Sequence, residues 1–299
     1  MRASLAGLLI PFALAASGSP VVSAKIETGG AQPCGSAPFG KYLYLDDYGS
    51  GRLLRIDPKT NRVVKRLQVG SSPCGVVAGA GALWVEDFYG DAIVRVDPVR
   101  LRVTNRIRVG SKPWDVAYGF GSVWASNQAG ASVSRIDPAR RKVVRTIELA
   151  GSPTCIRTGA GSVWVAAQGS DDIFRIDPST NAVTTIRIGN GSELCVEVRD
   201  DGVWVSDNTA GTVTRVDPAT NAVVATIEVG AGPADGTRGP DGLEWIPNQG
   251  DGTISRLDPA TNTVVDTIRV VKTPFVARTA FGSVWVGDFR GTQLWRIHP

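Results

Sequence analysis

Short apolar runs with a two-residue period dominate the chain. Thr212-Val-Thr-Arg-Val216 mixes apolar and polar positions in alternation, and Ala222 to Val229 is rich in Val, Ile and Thr. Alternation of this kind turns one face of a strand into a core and the other outward. Gly, Pro, Asp and Asn punctuate the runs. Asp200-Asp-Gly, Asn208-Thr-Ala-Gly and Asp217-Pro-Ala-Thr-Asn221 read as turns, the last with Asp first and Pro second, as a type I turn favours. One segment therefore predicts four strands: Cys195–Val198, Val203–Ser206, Thr212–Val216 and Ala222–Val229.

The segment is one copy of a repeat. Arg-apolar-Asp-Pro stands at Arg55, Arg95, Arg135, Arg175, Arg215 and Arg256, and a seventh copy, Arg296-Ile-His-Pro299, ends the chain; the steps are 40 residues, with a single step of 41. Eleven residues before each Arg is an aromatic: Tyr44, Trp84, Trp124, Trp164, Trp204, Trp245 and Trp285. The extra residue falls in Asp241-Gly-Leu-Glu-Trp245. Four strands per 40-residue unit predict an all-β, seven-bladed β-propeller. The seventh copy lacks its fourth strand. Lys25-Ile-Glu-Thr-Gly29 matches the fourth-strand phrase Thr226-Ile-Glu-Val-Gly230, and Ile26 precedes Arg55 by the same 29 residues that separate Ile227 from Arg256. The N-terminal strand is thus expected to complete the last blade and close the ring.

The first two dozen residues break the pattern. Met1-Arg2, an apolar run from Leu5 to Ala16 and a small-residue end at Val22-Ser23-Ala24 read as a secretory signal peptide over 1–24, with the propeller over 25–299. The apolar run is too short to span a bilayer, and no other segment could. A secreted or periplasmic protein is expected. A cut near Ala24 would leave the closing strand whole. Export gives the four cysteines a meaning, because an even number in an oxidising compartment favours disulfides. Cys34 and Cys74 share one phase in neighbouring blades one and two; Cys155 and Cys195 share another in blades four and five. Innermost strands converge at the axis, so the expected bridges are Cys34–Cys74 and Cys155–Cys195. Inert thiols, or a metal or redox site, are the alternatives. One ion cannot easily gather both pairs from opposite sides of the ring, so no metal set is assigned. The formal charge of +4 is small and its arginines are spread evenly, which sets nucleic acid aside.

In a repeat protein a recurrent residue is scaffold first. The seven arginines should pair with the Asp two residues on, the tryptophans should pack the blades, and the Asp or Asn that recurs eight residues before the Arg, at Asp47, Asp87, Asn127, Asp207, Asn248 and Asp288, should cap turns. Basic residues on the outer strands, such as Arg140-Arg-Lys142, protect blade edges. Asn190-Gly-Ser192 matches a glycosylation sequon. Function should lie where repeats differ. One set follows the recurrent Pro that opens each innermost strand: Trp114, Asp115, Arg157, Glu197, Asp235 and Arg278. These should surround the channel mouth, either as a polar pocket or as mutually paired charges. The second set lies in loops of blades one, two and seven: Tyr48, Phe88, Tyr89 and Phe289, beside Asp46, Glu86, Asp87 and Asp288. These aromatics should emerge on the same face as the pocket and form a binding surface, or simply pack their loops.

The unit Val203-Trp-Val-Ser-Asp-Asn208 to Gly230 resembles the bacterial YVTN/YncE-type propeller repeat, and is similar to the repeats of the streptogramin (virginiamycin B) lyases. The second resemblance implies a seven-bladed propeller that opens a cyclic peptide lactone with a channel-mouth histidine base and Mg²⁺. This chain departs from that pattern: its only histidine is His298, at the position of a turn Asp and away from the axis. With no histidine base and no Ser-His-Asp or Cys-His set, the expectation is a monomeric, non-catalytic protein that binds a small molecule, glycan or envelope protein without a cofactor. The alternative is a lyase-like or lactonase-like enzyme whose carboxylates hold Mg²⁺ or Ca²⁺.

Overall fold

The computed structural model describes residues 19–189, 191, 193–269 and 271–299. Most of the expected leader, and Asn190 and Ser192 of the sequon, lie outside the described residues. Among them, 28 strands form seven four-stranded antiparallel sheets, the blades of a β-propeller. Blade five runs Glu193–Arg199, Gly202–Asp207, Thr212–Val216 and Val223–Glu228, close to the strands its sequence predicts. Within blades one to six, tight turns keep consecutive strands adjacent and each sheet is a simple meander, while blade seven takes its outermost strand from the N-terminus.

Ring closure follows the expectation. Val21–Glu27 pairs antiparallel with Gln293–His298 as the outermost strand of blade seven, Ile26 opposite Leu294. The Lys25 ammonium lies 4.2 Å from the Trp295 ring centre across that pair. The strand begins earlier than expected, however. Val21, Val22 and Ala24 already pair with His298, Ile297 and Arg296. A cut after Ala24 would therefore remove the first part of the strand and leave Lys25, Ile26 and Glu27 paired.

The aromatics eleven residues before each Arg are the blade cores, all 1% exposed or less. The recurrent arginines behave differently from expectation. Each guanidinium lies over an aromatic of its own blade at 4.7–5.7 Å, as with Arg135 on Trp124 and Arg95 on Trp84. Five of them, Arg55, Arg135, Arg175, Arg215 and Arg296, then reach to the next blade rather than to the Asp beside them, whereas Arg95 bonds Thr104 and Arg256 pairs with Asp241 and Asp266 within their own blades. Arg175 donates to Pro218 O and Asn221 Oδ1, Arg215 to Pro259 O and Asn262 Oδ1, and Arg135 to Asn181 Oδ1. Arg296 donates to Pro58 O (2.7 Å) and Asn61 Oδ1 (3.1 Å), so the last blade is clasped to the first. The Asp two residues on is occupied elsewhere: Asp57, Asp97, Asp137, Asp177, Asp217 and Asp258 accept backbone N–H groups of their own turns.

The single-residue insertion is absorbed in blade six. Gly242 sits at φ +82°, and Asp241 accepts the indole N–H of Trp245 at 3.0 Å, replacing the backbone carbonyl that Trp84 and Trp124 use. That blade's innermost strand is only Thr237–Arg238.

Because Ile26 is 3% exposed and sits in the closing strand, Ile26→Ala should destabilise the protein by roughly 2–5 kcal/mol. Val99→Ala, at a turn residue 74% exposed, should stay within about 0.5 kcal/mol. Urea unfolding followed by tryptophan fluorescence compares them.

Candidate functional site

The recurrent Pro, replaced by Glu193 in blade five, stands at or just before the start of the innermost strands or one residue into them, and the residues that follow it reach the axis. Cys34 and Cys74 are bridged there with Cα atoms 5.0 Å apart, and Cys155 and Cys195 with Cα atoms 4.7 Å apart. Both expected disulfides form, and neither pair is a thiolate set for a metal. The Gly after Cys34 is dictated by this approach, because a Cβ on Gly35 would stand 2.2 Å from Cys74 O. The cysteines do not stay on opposite sides of a channel. All four join Ala234, Phe275 and Val276 in one apolar cluster on the axis. The space left beside Asp115 and Asp235 is about 10 Å³, one water at most. The channel is plugged at its middle.

The plug separates the two residue sets. Trp114 opens onto one end together with Tyr48, Phe88 and Phe289, while Arg157, Glu197 and Arg278 open onto the other. The expectation of a shared face is corrected: three residues along a strand is about 10 Å, enough to pass from one side of the plug to the other. Asp115 and Asp235 sit within it. At the far end the charges pair with one another. Arg157 donates to Asp115 through one nitrogen and to Asp235 Oδ2 through the other at 2.6 Å, Arg278 donates to the same Asp235 oxygen, and Arg199 pairs with Glu197. Burial alone would raise Asp235, but Arg157 and Arg278 hold it below the usual carboxylate range. Burial raises Glu197, against its arginine neighbours. These ion pairs tie the innermost strands of blades three, four, six and seven together.

The other end holds an open cavity of about 470 Å³. Its residues come largely from one repeat phase, the position after the capping Asp or Asn (Ala167 in blade four): Tyr48, Phe88, Gln168, Asn208, Gln249 and Phe289, with Gln128 completing the ring of blades. Blades seven, one and two supply aromatics and blades three to six supply carboxamides. Trp114 and Phe275 from innermost strands extend the aromatic arc, and Gln32 closes the rim. Phe88 meets Trp114 at 5.9 Å, and Phe289 meets Phe275 at 4.7 Å and Tyr48 at 5.8 Å. Tyr89, 61% exposed, stands edge-on to Phe88 and does not line the cavity. Gln128 donates to Gln168 Oε1 at 3.3 Å. Sequence reasoning passed over the carboxamides, because glutamine and asparagine beside a turn look like solvated loop; aligning that one phase across the repeats would have found them.

Two acids lie beneath the aromatic arc. Glu86, 1% exposed, forms part of the cavity wall; its Oε1 accepts the N–H of Gly75 at 3.0 Å and of Cys74, and its Oε2 is buried without a partner. Asp46 is fully buried with both oxygens unpartnered. Burial pushes both well above the usual carboxylate range, helped by Asp115. The same phase in blades three and five is Ser126 and Ser206, hydroxyls that donate to carbonyls of the next blade. A protonated carboxyl keeps a donor where a carboxylate would not.

No family model matches the chain, and no curated protein matches it. Solved structures do. A streptogramin B lyase is 14% identical with a TM-score of 0.79, covering 91% of this chain and 94% of that one. Virginiamycin B lyase from Staphylococcus aureus is 15% identical with a TM-score of 0.79, covering 92% and 98%. Hydrazine synthase from Kuenenia stuttgartiensis is 15% identical with a TM-score of 0.80, covering 91% and 97%. This likeness establishes the fold. At such identity it says nothing of activity, as the unlike neighbours illustrate. The two disulfides point to an oxidising compartment, and no helix among the described residues is long and apolar enough to cross a membrane.

Two predictions follow from the axis. Each bridge closes a 40-residue span, so Cys34→Ser with Cys74→Ser should cost about 3–4 kcal/mol in unfolding free energy, and reductant should lower the wild-type midpoint without affecting that of a variant lacking all four thiols. Asp46 carries its proton when folded and releases it when unfolded above about pH 4. Its contribution is therefore full below that pH and is lost as pH rises toward its raised folded value. Asp46→Asn should be more stable than wild type at pH 7, with the difference vanishing near pH 4, as read by thermal melts across that range.

Proposed function

We propose that this chain is an exported, monomeric, non-catalytic propeller that binds an uncharged ligand in the cavity at its aromatic end. The observation that carries the reading is the lining itself. Aromatic rings and carboxamides surround a pocket of about 470 Å³, a size within the ordinary range for small-molecule sites. The apolar start of the chain and the two disulfides support export. A small molecule or the exposed end of a glycan fits the cavity's size, and an envelope protein could present either.

The enzyme reading rests on the fold shared with streptogramin lyases. One of those structures is a catalytically inactive histidine-to-alanine variant of the S. aureus enzyme with quinupristin. Here the sole histidine lies on the third strand of blade seven, its Nδ1 3.2 Å from Ser283 Oγ and away from both ends of the channel. The carboxylates that would hold Mg²⁺ or Ca²⁺ in a lactonase-like site, Asp115, Asp235 and Glu197, are engaged by arginines. Binding without a cofactor fits these residues better.

A thermal-shift screen of neutral metabolites, glycans and cyclic peptides, with EDTA, Mg²⁺ and Ca²⁺ as separate arms, tests the reading. The expected hits raise the melting temperature of wild type and of Thr158→Ala at the opposite end, lose that shift in Phe88→Ala and Phe289→Ala, and ignore EDTA. Hits that survive both aromatic substitutions, or that need a divalent ion, would overturn it.

A further inference from the structure

Deepening the proposed binding function, and resting on it, we propose that the cavity takes an uncharged saccharide, with the carbon-bound hydrogens of a sugar ring against the aromatic arc and its hydroxyls on the carboxamide arc. The division of the ring of blades is the ground for this. Aromatic faces carry a partial negative charge that favours polarised C–H groups. A carboxamide both donates and accepts, as a sugar hydroxyl does, so amides match hydroxyls in either sense. A ligand with one C–H face and a hydroxyl rim satisfies both arcs together; a wholly apolar ligand would leave the amides unpaired, at a cost.

On the amide side Asn208 donates to Pro233 O and Gln128 to Gln168 Oε1, but other polar groups stay open to a ligand. Gln32 and Gln249 make no side-chain hydrogen bond among the described residues, and the Gln168 amide nitrogen is likewise unengaged. At the wall, Glu86 Oε2 is a buried polar atom without a partner, an independent sign that a hydrogen-bonding guest completes the site. No arginine or lysine lines the cavity, and Lys112 approaches only the Phe88 ring, at 5.7 Å. That favours a neutral sugar over an acidic or phosphorylated one. None of the ring pairs is a face-to-face stack; their planes meet at 41–76°.

Isothermal titration of the folded, disulfide-bonded protein with cellobiose, maltose, lactose and diacetylchitobiose tests the inference, with N-acetyltryptophanamide as a neutral, non-sugar comparator. The expected result is binding of at least one sugar that weakens roughly tenfold in Gln249→Leu and in Phe88→Ala. Circular dichroism confirms that each variant is folded. Binding of the comparator with no sugar bound overturns the saccharide inference and leaves the cavity reading standing. Binding of neither removes both. Sugar binding that neither substitution weakens places the sugar elsewhere and overturns the inference.

Discussion

The structure depends on one contact repeated at five of the seven blade junctions: an arginine laid on its own blade's aromatic while its guanidinium grips the turn of the next blade. The stacking distances of 4.7–5.7 Å place each cation within range of the ring quadrupole, and the clasping hydrogen bonds go to carbonyls or asparagine oxygens of the next blade's turn. A blade's sheet is internally satisfied, but its packing on the neighbour is a largely apolar surface with no inherent register. The clasp supplies one. It also explains the turn sequence. Asn61, Asn181, Asn221 and Asn262 sit at φ +53° to +63°, a left-handed conformation asparagine tolerates, and present their side-chain oxygen to the arginine of the preceding blade. Where that position is Leu101, Arg55 takes backbone carbonyls of Pro98 and Val99 instead; where it is Arg141, Arg95 turns back to Thr104.

With the periphery holding register, the axis is free to differ from blade to blade, and it does. Two disulfides and a set of buried ion pairs replace the repeat there. Breaking one side of such a pair leaves an uncompensated buried charge, which costs more than the pair contributes. Arg157 and Asp235 are therefore better understood as the lock of the plug than as groups awaiting a substrate. A plug with space for about one water turns a through-channel into two separate basins, and only the basin facing the strand-two to strand-three loops has an open, uncharged lining.

The repeat made the architecture legible. Arg-x-Asp-Pro at 40-residue steps and a stray fourth-strand phrase at Lys25–Gly29 were enough for blade count and closure, because both are local signals that recur. Cysteine pairing was legible for the same reason, as phase translates directly into proximity at the axis. What was not legible depended on contacts between repeats or on depth. Where an Arg clasps the next blade its partner lies more than 40 residues away, so the adjacent Asp was the natural but mistaken choice. Trp114 and Arg157 belong to one class of strand in the sequence, yet a few residues along that strand cross the plug. Asp46 and Glu86 stand beside a turn in the sequence, yet both are buried, and Glu86 is held by the N–H groups of Cys74 and Gly75, a contact that the repeat pattern does not record.

The position of the aromatic arc has a physical logic. It spans blades seven, one and two, and the first disulfide joins blades one and two directly beneath it, with Glu86 anchored on the N–H groups of Cys74 and Gly75. Blade seven is itself closed by the N-terminal strand and clasped to blade one through Arg296. The rings thus stand on the part of the ring of blades that is covalently and topologically most constrained. A site whose aromatic wall is held in place before a ligand arrives loses less conformational freedom on binding, and that matters most for weakly attractive, uncharged ligands. The carboxamide arc opposite spans blades three to six, of which only four and five are bridged, by Cys155–Cys195, and its longer side chains can adjust. A rigid apolar wall facing an adaptable polar one fits a ligand whose ring is constant and whose hydroxyl pattern varies.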